Sequence, residues 1–348
     1  MSVFLAPISW IYAIIVKIRN WLYDEHILRS HVVNVPTICV GNISVGGAGK
    51  TPHVEYIASR LSEQFRVAVL SRGYHRKTSG FVLADENSTV EQIGDEAMQM
   101  FLHLPNIPIA VCERRVKGIK QLLQKYPDLQ VVVLDDGFQH RQLRCGYNII
   151  LTPHKNIYVN DHLLPWGTLR EPIDSTSRAE TIIVTKCPPD IQPIDRRVII
   201  SALKPFPFQQ LYFSTLKYQE PRPVFPEKAS SLPTQKLRPL IVTGIVYPEY
   251  IADEMKTKNI DFSLLSFSDH HKFTKSDIKS IESAYKSFHA NCILTTEKDA
   301  VRLKQCPHVI DDIKQVLYTL PVKVEMLEDS KNFINNIIAY VTENSRNR

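Results

Sequence analysis

Residues 37–62 read as strand, glycine-rich turn and helix, and no other stretch constrains the chain so tightly. Thr37-Ile-Cys-Val-Gly41 is a short apolar run, Asn42-Ile-Ser44-Val-Gly46-Gly47-Ala48-Gly49-Lys50-Thr51 follows it, and Val54, Ile57, Ala58 and Leu61 then recur at helical spacing with Pro52 near the helix start. Glycines let successive backbone N–H groups turn toward an anion, and the positive end of the helix adds to their pull. The general G-x-x-x-x-G-K-[ST] pattern would put its first glycine at position 44, where this chain carries Ser44. Gly46, Gly47 and Gly49 keep the turn's freedom. The expectation is that Gly46, Gly47, Ala48, Gly49, Lys50 and Thr51 hold the phosphates of ATP, with Lys50 at the β- and γ-phosphates and the Thr51 hydroxyl offered to Mg²⁺. A glycine turn without a nucleotide is the bland alternative.

Further strands end in groups that suit this chemistry. The uninterrupted apolar run at 130–134 predicts a strand buried on both faces of a parallel sheet, and it ends in Asp135-Asp136-Gly137. Two adjacent carboxylates repel unless a cation lies near, so Mg²⁺ gives the pair a reason, and an ordinary acidic turn is the other reading. Residues 66–70 form another expected strand, running into Ser71-Arg72-Gly73-Tyr74 and the basic His75-Arg76-Lys77. Such a loop suits a phosphorylated substrate. A solvated loop of mixed charge fits equally well. Gly94-Asp95-Glu96 opens a helix, and Asp95 is there either its N-cap or a carboxylate placed to accept a substrate hydroxyl proton. In Leu169-Arg170-Glu171-Pro172, Arg170 suits phosphate, and Glu171 suits a sugar hydroxyl or an arginine. Thr185-Lys186-Cys187-Pro188 lacks the aspartate of a guanine-reading motif, which counts against a GTPase.

At 348 residues the chain has room for two domains. Forty-two Lys and Arg against 36 Asp and Glu give a net charge of +6, a mild bias that suits an anionic ligand or a membrane surface. The six cysteines are widely spaced and are expected to be reduced and non-ligating. Residues 2–16 carry no charge, and Phe4, Ile8, Ile11, Ile15, Ile18 and Leu22 repeat at helical steps, with Trp10, Trp21, Tyr12, Tyr23, Lys17 and Arg19 as interfacial anchors. Fifteen helical residues reach about 23 Å, short of a hydrocarbon thickness of about 30 Å. The reading is a membrane-associated helix, the alternative a hydrophobic helix docked on the protein's own core. The expected organisation is an α/β chain: an N-terminal helix over 1–23, a P-loop NTPase-like parallel-sheet domain over 24–205, a connection over 206–236 holding one strand-like segment at 210–215, and a smaller α/β domain over 237–348. That second domain has strands at Pro239–Thr243 and 291–295, histidines 270 and 271 on a loop before a helix capped by Thr274 and Asp277, and no phosphate-loop lysine.

Taken together, VGNISVGGAGKTP at 40–52, SRGY at 71–74, GDE at 94–96, LDDGFQHR at 134–141, LREP at 169–172, DHH at 269–271 and TEKDAVRL at 296–303 resemble the tetraacyldisaccharide 4'-kinases of lipid A biosynthesis. The resemblance implies transfer of the ATP γ-phosphate to the 4'-hydroxyl of an acylated glucosamine disaccharide 1-phosphate, giving lipid IV-A. It implies Asp95 as catalytic base with His270 as its partner across a domain cleft, Lys50 at the transferring phosphoryl, and Thr51, Asp135 and Asp136 around Mg²⁺. Arg72, Tyr74, Arg170 and Glu171 are then substrate-binding candidates. It places the enzyme on the cytoplasmic face of the bacterial inner membrane and implies neither nucleic acid nor a protein partner. The competing readings are a P-loop switch or metallochaperone-type NTPase and, without nucleotide, a structural membrane-interface protein.

Overall fold

A computed structural model of the chain describes residues 5–233, 236–327 and 330–345. These divide into two compact units, one within Met1–Lys217 and Val324–Arg348, the other Tyr218–Lys323.

The first unit is built on a sheet whose strands are β1 (Thr37–Gly41), β2 (Val67–Ser71), β3 (Val82–Leu83), β4 (Ile109–Val111), β5 (Val131–Asp135), β6 (Tyr147–Pro153), β7 (Thr181–Thr185) and β8 (Gln210–Tyr218). Strands β9 (Arg222–Pro223), β10 (Pro239–Thr243), β11 (Ser263–Ser266), β12 (Cys292–Thr295) and β13 (Leu317–Thr319) belong to a second sheet, and β14 (Val322–Met326) rejoins the first. The first runs β14-β8-β7-β6-β1-β5-β2-β4-β3, and β1, β2, β5 and β7 are buried at every residue. Continuous apolar runs made this legible, because a strand covered on both faces has no polar alternation. β1 pairs parallel with both β5 and β6. The chain moves to one side of β1 for β2 and to the other for β6, and such a switch point leaves a crevice at the strands' carboxyl ends.

Helices α1 (Ala6–Asp24), α2 (Lys50–Ser62), α3 (Val90–Ile93), α4 (Asp95–His103), α5 (Arg115–Lys125) and α6 (Pro193–Leu203) belong to this unit. Helix α1 docks by the face opposite to its apolar repeat. Ser9, Val16 and Tyr23 are buried, the Ser9 hydroxyl donates to Leu163 O at 2.7 Å, and the Tyr12 hydroxyl to Arg170 O at 2.9 Å. Ile8, Ile11, Ile15 and Ile18 point to solvent with Trp10 and Trp21, and Trp10 is 72% exposed. The alternative of an apolar face packed into the protein's own core is thereby excluded for these residues; Phe4 lies outside the described residues. Among the described residues no helix is long and apolar enough to cross a membrane.

The second unit has sheet order β11-β10-β12-β13-β9, parallel except for β13 with β9. Its helices are α7 (Glu249–Thr257), α8 (Lys275–Ser287), α9 (Glu297–Lys304) and α10 (Asp311–Val316), around a core that includes Leu240, Val242, Ile281, Ile293 and Leu317. Thr274 and Asp277 form the expected capping box at the start of α8, with Asp doing what Glu or Gln more often does.

The division between units differs from the sequence expectation at two places. Residues 210–215 are not part of a connection: β8 pairs parallel with β7 inside the first sheet, and the break falls after Lys217. The closing helix α11 (Ser330–Ser345) belongs to the first unit, with Phe333, Ile337 and Val341 wholly buried and the Tyr340 hydroxyl donating to Thr37 O at 3.2 Å. Amphipathic spacing identified that helix without saying which sheet its apolar face would cover.

Candidate active site

The glycine turn leaves β1 and closes as the start of α2. Gly46 and Gly49 adopt φ of 103° and 83°, the left-handed region open to glycine, and Gly49 is the cap residue of α2. Ser44 pairs antiparallel with Leu169, an arrangement that does not call for glycine, so the departure from the general motif leaves the turn intact. The turn's carbonyls are held from behind. Thr185 at the end of β7 donates to Ala48 O at 2.9 Å, and His53 in the first turn of α2 bonds Gly49 O through Nδ1 at 2.7 Å. A carbonyl can only accept, so Nδ1 carries the proton, and Nε2 accepts from the Ser214 hydroxyl of β8 at 2.9 Å. Burial pushes the His53 pKa down to about 4, which keeps the ring neutral. With these carbonyls tied back the peptide planes of the turn are fixed, and within it Ala48 N donates to Gly46 O at 2.8 Å, closing the loop on itself. His53 carried no signal in the sequence beyond its place two residues after Thr51.

Charge gathers in front of the turn. Lys50 Nζ donates to Asn42 Oδ1 at 3.0 Å and lies 3.8 Å from Asp136 Oδ1. Arg170 grips Asp136 with both arms, Nη2 to Oδ1 at 2.9 Å and Nη1 to Oδ2 at 3.1 Å, and it also donates to Asn42 O at 3.0 Å. Burial alone would raise the Asp136 carboxyl, but the charges of Lys50 and then Arg170 reverse this and hold it well below the usual carboxylate range. Asp136 sits at φ of 49°, a left-handed conformation that aspartate tolerates better than most residues. Asp135 is fully buried at the end of β5 and accepts from the Ser71 hydroxyl of β2 at 3.1 Å. Thr51 is buried at the start of α2.

Beneath the two aspartates lies Arg115, which the sequence reading missed. It is 2% exposed, and its guanidinium donates to Cys112 O at 2.9 Å and to the carbonyls of Asp135 and Asp136 at 3.4 and 3.3 Å. Burial lowers its pKa against the opposing pull of both aspartates. Its one sequence signal was position, just past the carboxyl end of a parallel strand.

Asp95 is buried at the first position of α4, and its Oδ1 accepts from Glu96 N at 3.0 Å. The cap residue is Gly94, so the N-cap reading of Asp95 does not hold. Gly94 has φ of 86°, and a Cβ there would come within 2.9 Å of Tyr74 O, which fixes the start of α4 against the turn after β2. In that turn Arg72 and Tyr74 are exposed, whereas Arg76 bonds Glu113 and Gly80 O internally. The basic loop thus splits into outward and structural cations. Glu171 is 1% exposed and ion-paired with Arg178, the arginine-holding option of its two readings. In the second unit, His270 has φ of 56° and bonds Arg302 through Nδ1 at 3.2 Å, while Arg302 also donates to the buried Asp299 at 2.9 Å.

The donors around the turn fit Mg²⁺. Thr51, Asp135 and Asp136 supply only hard oxygen atoms, and Asp136 is held ionised. Among the described residues no group of three or more His, Cys, Asp or Glu is placed as a metal cage. A cation that takes most of its ligands from water and phosphate needs no such cage.

A family model described as tetraacyldisaccharide-1-P 4'-kinase matches residues 1–342. A tetraacyldisaccharide 4'-kinase of Bacteroides thetaiotaomicron is 45% identical over 357 residues, covering 99% of this chain and 94% of its own. A protein of the same name from Flavobacterium johnsoniae is 40% identical, covering 98% of this chain and 97% of its own. Among solved structures, the "apo" form of LpxK from Aquifex aeolicus in complex with ATP matches with a TM-score of 0.74 and 29% identity, covering 97% of this chain and 98% of that one. With matches that run nearly end to end, from a family model over residues 1–342 to relatives covering 98% and 99% of its length, the chain belongs to the tetraacyldisaccharide-1-P 4'-kinase family.

Proposed function

We infer that this enzyme transfers the γ-phosphate of ATP to the 4'-hydroxyl of a tetraacyl glucosamine disaccharide 1-phosphate, giving the bis-phosphorylated lipid IV-A. The observation that carries the chemistry is the tied-back turn at 46–51 facing Lys50 and the ionised Asp136. Donors fixed before substrate arrives cost no rearrangement when charge moves in the transition state. The family relation supplies the acceptor.

Each residue has a task in this proposal. The amides of 46–51 seat the phosphates, and Lys50 leaves Asn42 and Asp136 for the transferring phosphoryl. Thr51, Asp135 and Asp136 hold Mg²⁺, which neutralises phosphate oxygens when bound. Asp95 accepts the 4'-hydroxyl proton, and Arg72 and Tyr74 meet the lipid's head group. Arg170 acts through Asp136, and Glu171 acts from the interior by fixing Arg178. The outward apolar face of α1, with its two tryptophans, rests on the cytoplasmic surface of the inner membrane, where acyl chains keep the substrate.

The test is a γ-³²P-ATP assay with the disaccharide 1-phosphate in mixed micelles. Label recovered in the lipid is the expected result. Label released only as inorganic phosphate would replace the kinase by an NTPase switch.

A further inference from the structure

The turn between α6 and β8 presents an apolar surface that phosphoryl transfer does not use. Phe206 and Phe208 stand 44% and 59% exposed, their rings stacked at 5.8 Å. Single apolar side chains on a surface need no explanation, but this pair is held in place. Gln209 Oε1 accepts from Phe206 N at 3.0 Å, and Gln209 Nε2 donates to Thr176 O and Ala179 O at 2.7 and 2.8 Å. One half-buried amide therefore clamps the turn, and Phe-Pro-Phe is left exposed.

The segment that receives Gln209 is the short 3-10 helix Ile173–Arg178, and it also receives α1. Asn20 Nδ2 donates to Ser175 Oγ at 3.3 Å, and Ser175 and Thr176 are adjacent. The phenylalanine turn and the end of α1 thus share one anchor, and Ile173 of that anchor is itself exposed. Lys204, exposed at the start of the turn, adds a cation two residues before Phe206. Aromatic and basic groups together are the composition of an interfacial membrane contact.

We propose that the Phe206–Phe208 turn is a second membrane contact, inserting its two rings among the head groups of an anionic bilayer beside α1. The proposal rests on the reading that the α1 face lies on the membrane, and extends it from a line of contact to an area. Two points of contact fix the rotation of the first unit about the α1 axis, which one helix lying on a surface leaves free. The site at the sheet's carboxyl end would then meet the bilayer at one angle.

The experiment is vesicle co-sedimentation, without substrate, on phosphatidylglycerol–phosphatidylcholine vesicles and on pure phosphatidylcholine. Phe206→Ser/Phe208→Ser should lower partitioning about tenfold, since each ring withdraws apolar area from water. Its melting midpoint and its turnover of micellar substrate should stay near wild type. Phe206→Trp/Phe208→Trp should restore binding, and Lys204→Glu should weaken it on the anionic vesicles alone. Unchanged partitioning of the serine variant on both vesicles would overturn the proposal. So would a wild-type dimer that the serine variant dissolves, because the patch would then cover a second copy of the chain. Trp10→Ser/Trp21→Ser tests the α1 reading separately: wild-type binding by that variant would discard the α1 contact and with it the two-contact proposal, whereas additive losses in the two variants would support both. Lipid phosphorylation, measured apart from binding, tests the kinase reading on its own.

Discussion

Lys50 is held by neutral Asn42 at 3.0 Å and by Asp136 at 3.8 Å, so its ammonium is pre-positioned without being locked into a tight ion pair. Lys50→Ala removes a charge aimed at the transferring phosphoryl and should reduce kcat by about a hundredfold or more. Steady-state turnover close to wild type would take Lys50 out of the reaction. His53 acts one step back, by aiming Gly49. His53→Ala should raise the KM for ATP about tenfold while kcat changes little, and His53→Gln, which retains an amide donor, should recover part of the loss. A fall in kcat with unchanged KM would contradict that role. The same histidine predicts a pH effect. Its folded pKa of about 4 lies below the unfolded value, so the unfolded chain takes up a proton first as pH falls. The resulting penalty is absent above about pH 6.5 and grows to on the order of 3 kcal/mol toward pH 4. Chemical denaturation at stepped pH should show a shallower fall for His53→Gln, and parallel profiles would exclude this linkage.

Helix α4 begins where it does because Gly94 turns against Tyr74, and this sets where Asp95 can reach. Asp95→Ala should slow single-turnover phosphorylation far more than it weakens ATP binding; an unchanged single-turnover rate would reduce Asp95 to a structural acid. Gly94→Ala places a Cβ 2.9 Å from a backbone oxygen at positive φ, a strain on the order of 1–3 kcal/mol. It should shift α4 and impair turnover even though Asp95 is kept, and full activity with an unchanged melting point would show that the contact yields. The elements that bear the site were legible in the sequence because apolar runs, helical spacing and glycine spacing are local. What was not legible depends on tertiary partners. Arg115 reads like any arginine after a strand until its guanidinium is found under Asp135 and Asp136. Glu171 offered two partners that only its neighbour Arg178 separates, and for Asp95 the place of Gly94 as the cap removes one of two readings. In α1 the apolar repeat was visible, while the docking face mixes polar and apolar residues, Ser9, Tyr12, Val16, Asn20 and Tyr23, which the apolar repeat leaves out.

At the scale of the molecule, the second unit is an excursion of the chain from within the first. Residues Tyr218–Lys323 leave after β8, and the chain then returns with β14 and α11. Phe333, Ile337 and Val341 of α11 are wholly buried. At about 1.5–3 kcal/mol for each such side chain, their loss approaches the 5–15 kcal/mol that holds a domain folded. A chain ended after residue 323 should therefore lose the transition of the first unit and keep only that of the second, although every residue of the glycine turn is present. The excised segment 218–323 has its own sheet and its own apolar core and should unfold cooperatively by itself. Calorimetry on these two shortened chains separates the cases. A truncated chain that still shows a transition beyond that of the 218–323 fragment would show that α11 covers the first unit without completing it, and a 218–323 fragment without a transition would show that the second unit folds only as part of the whole.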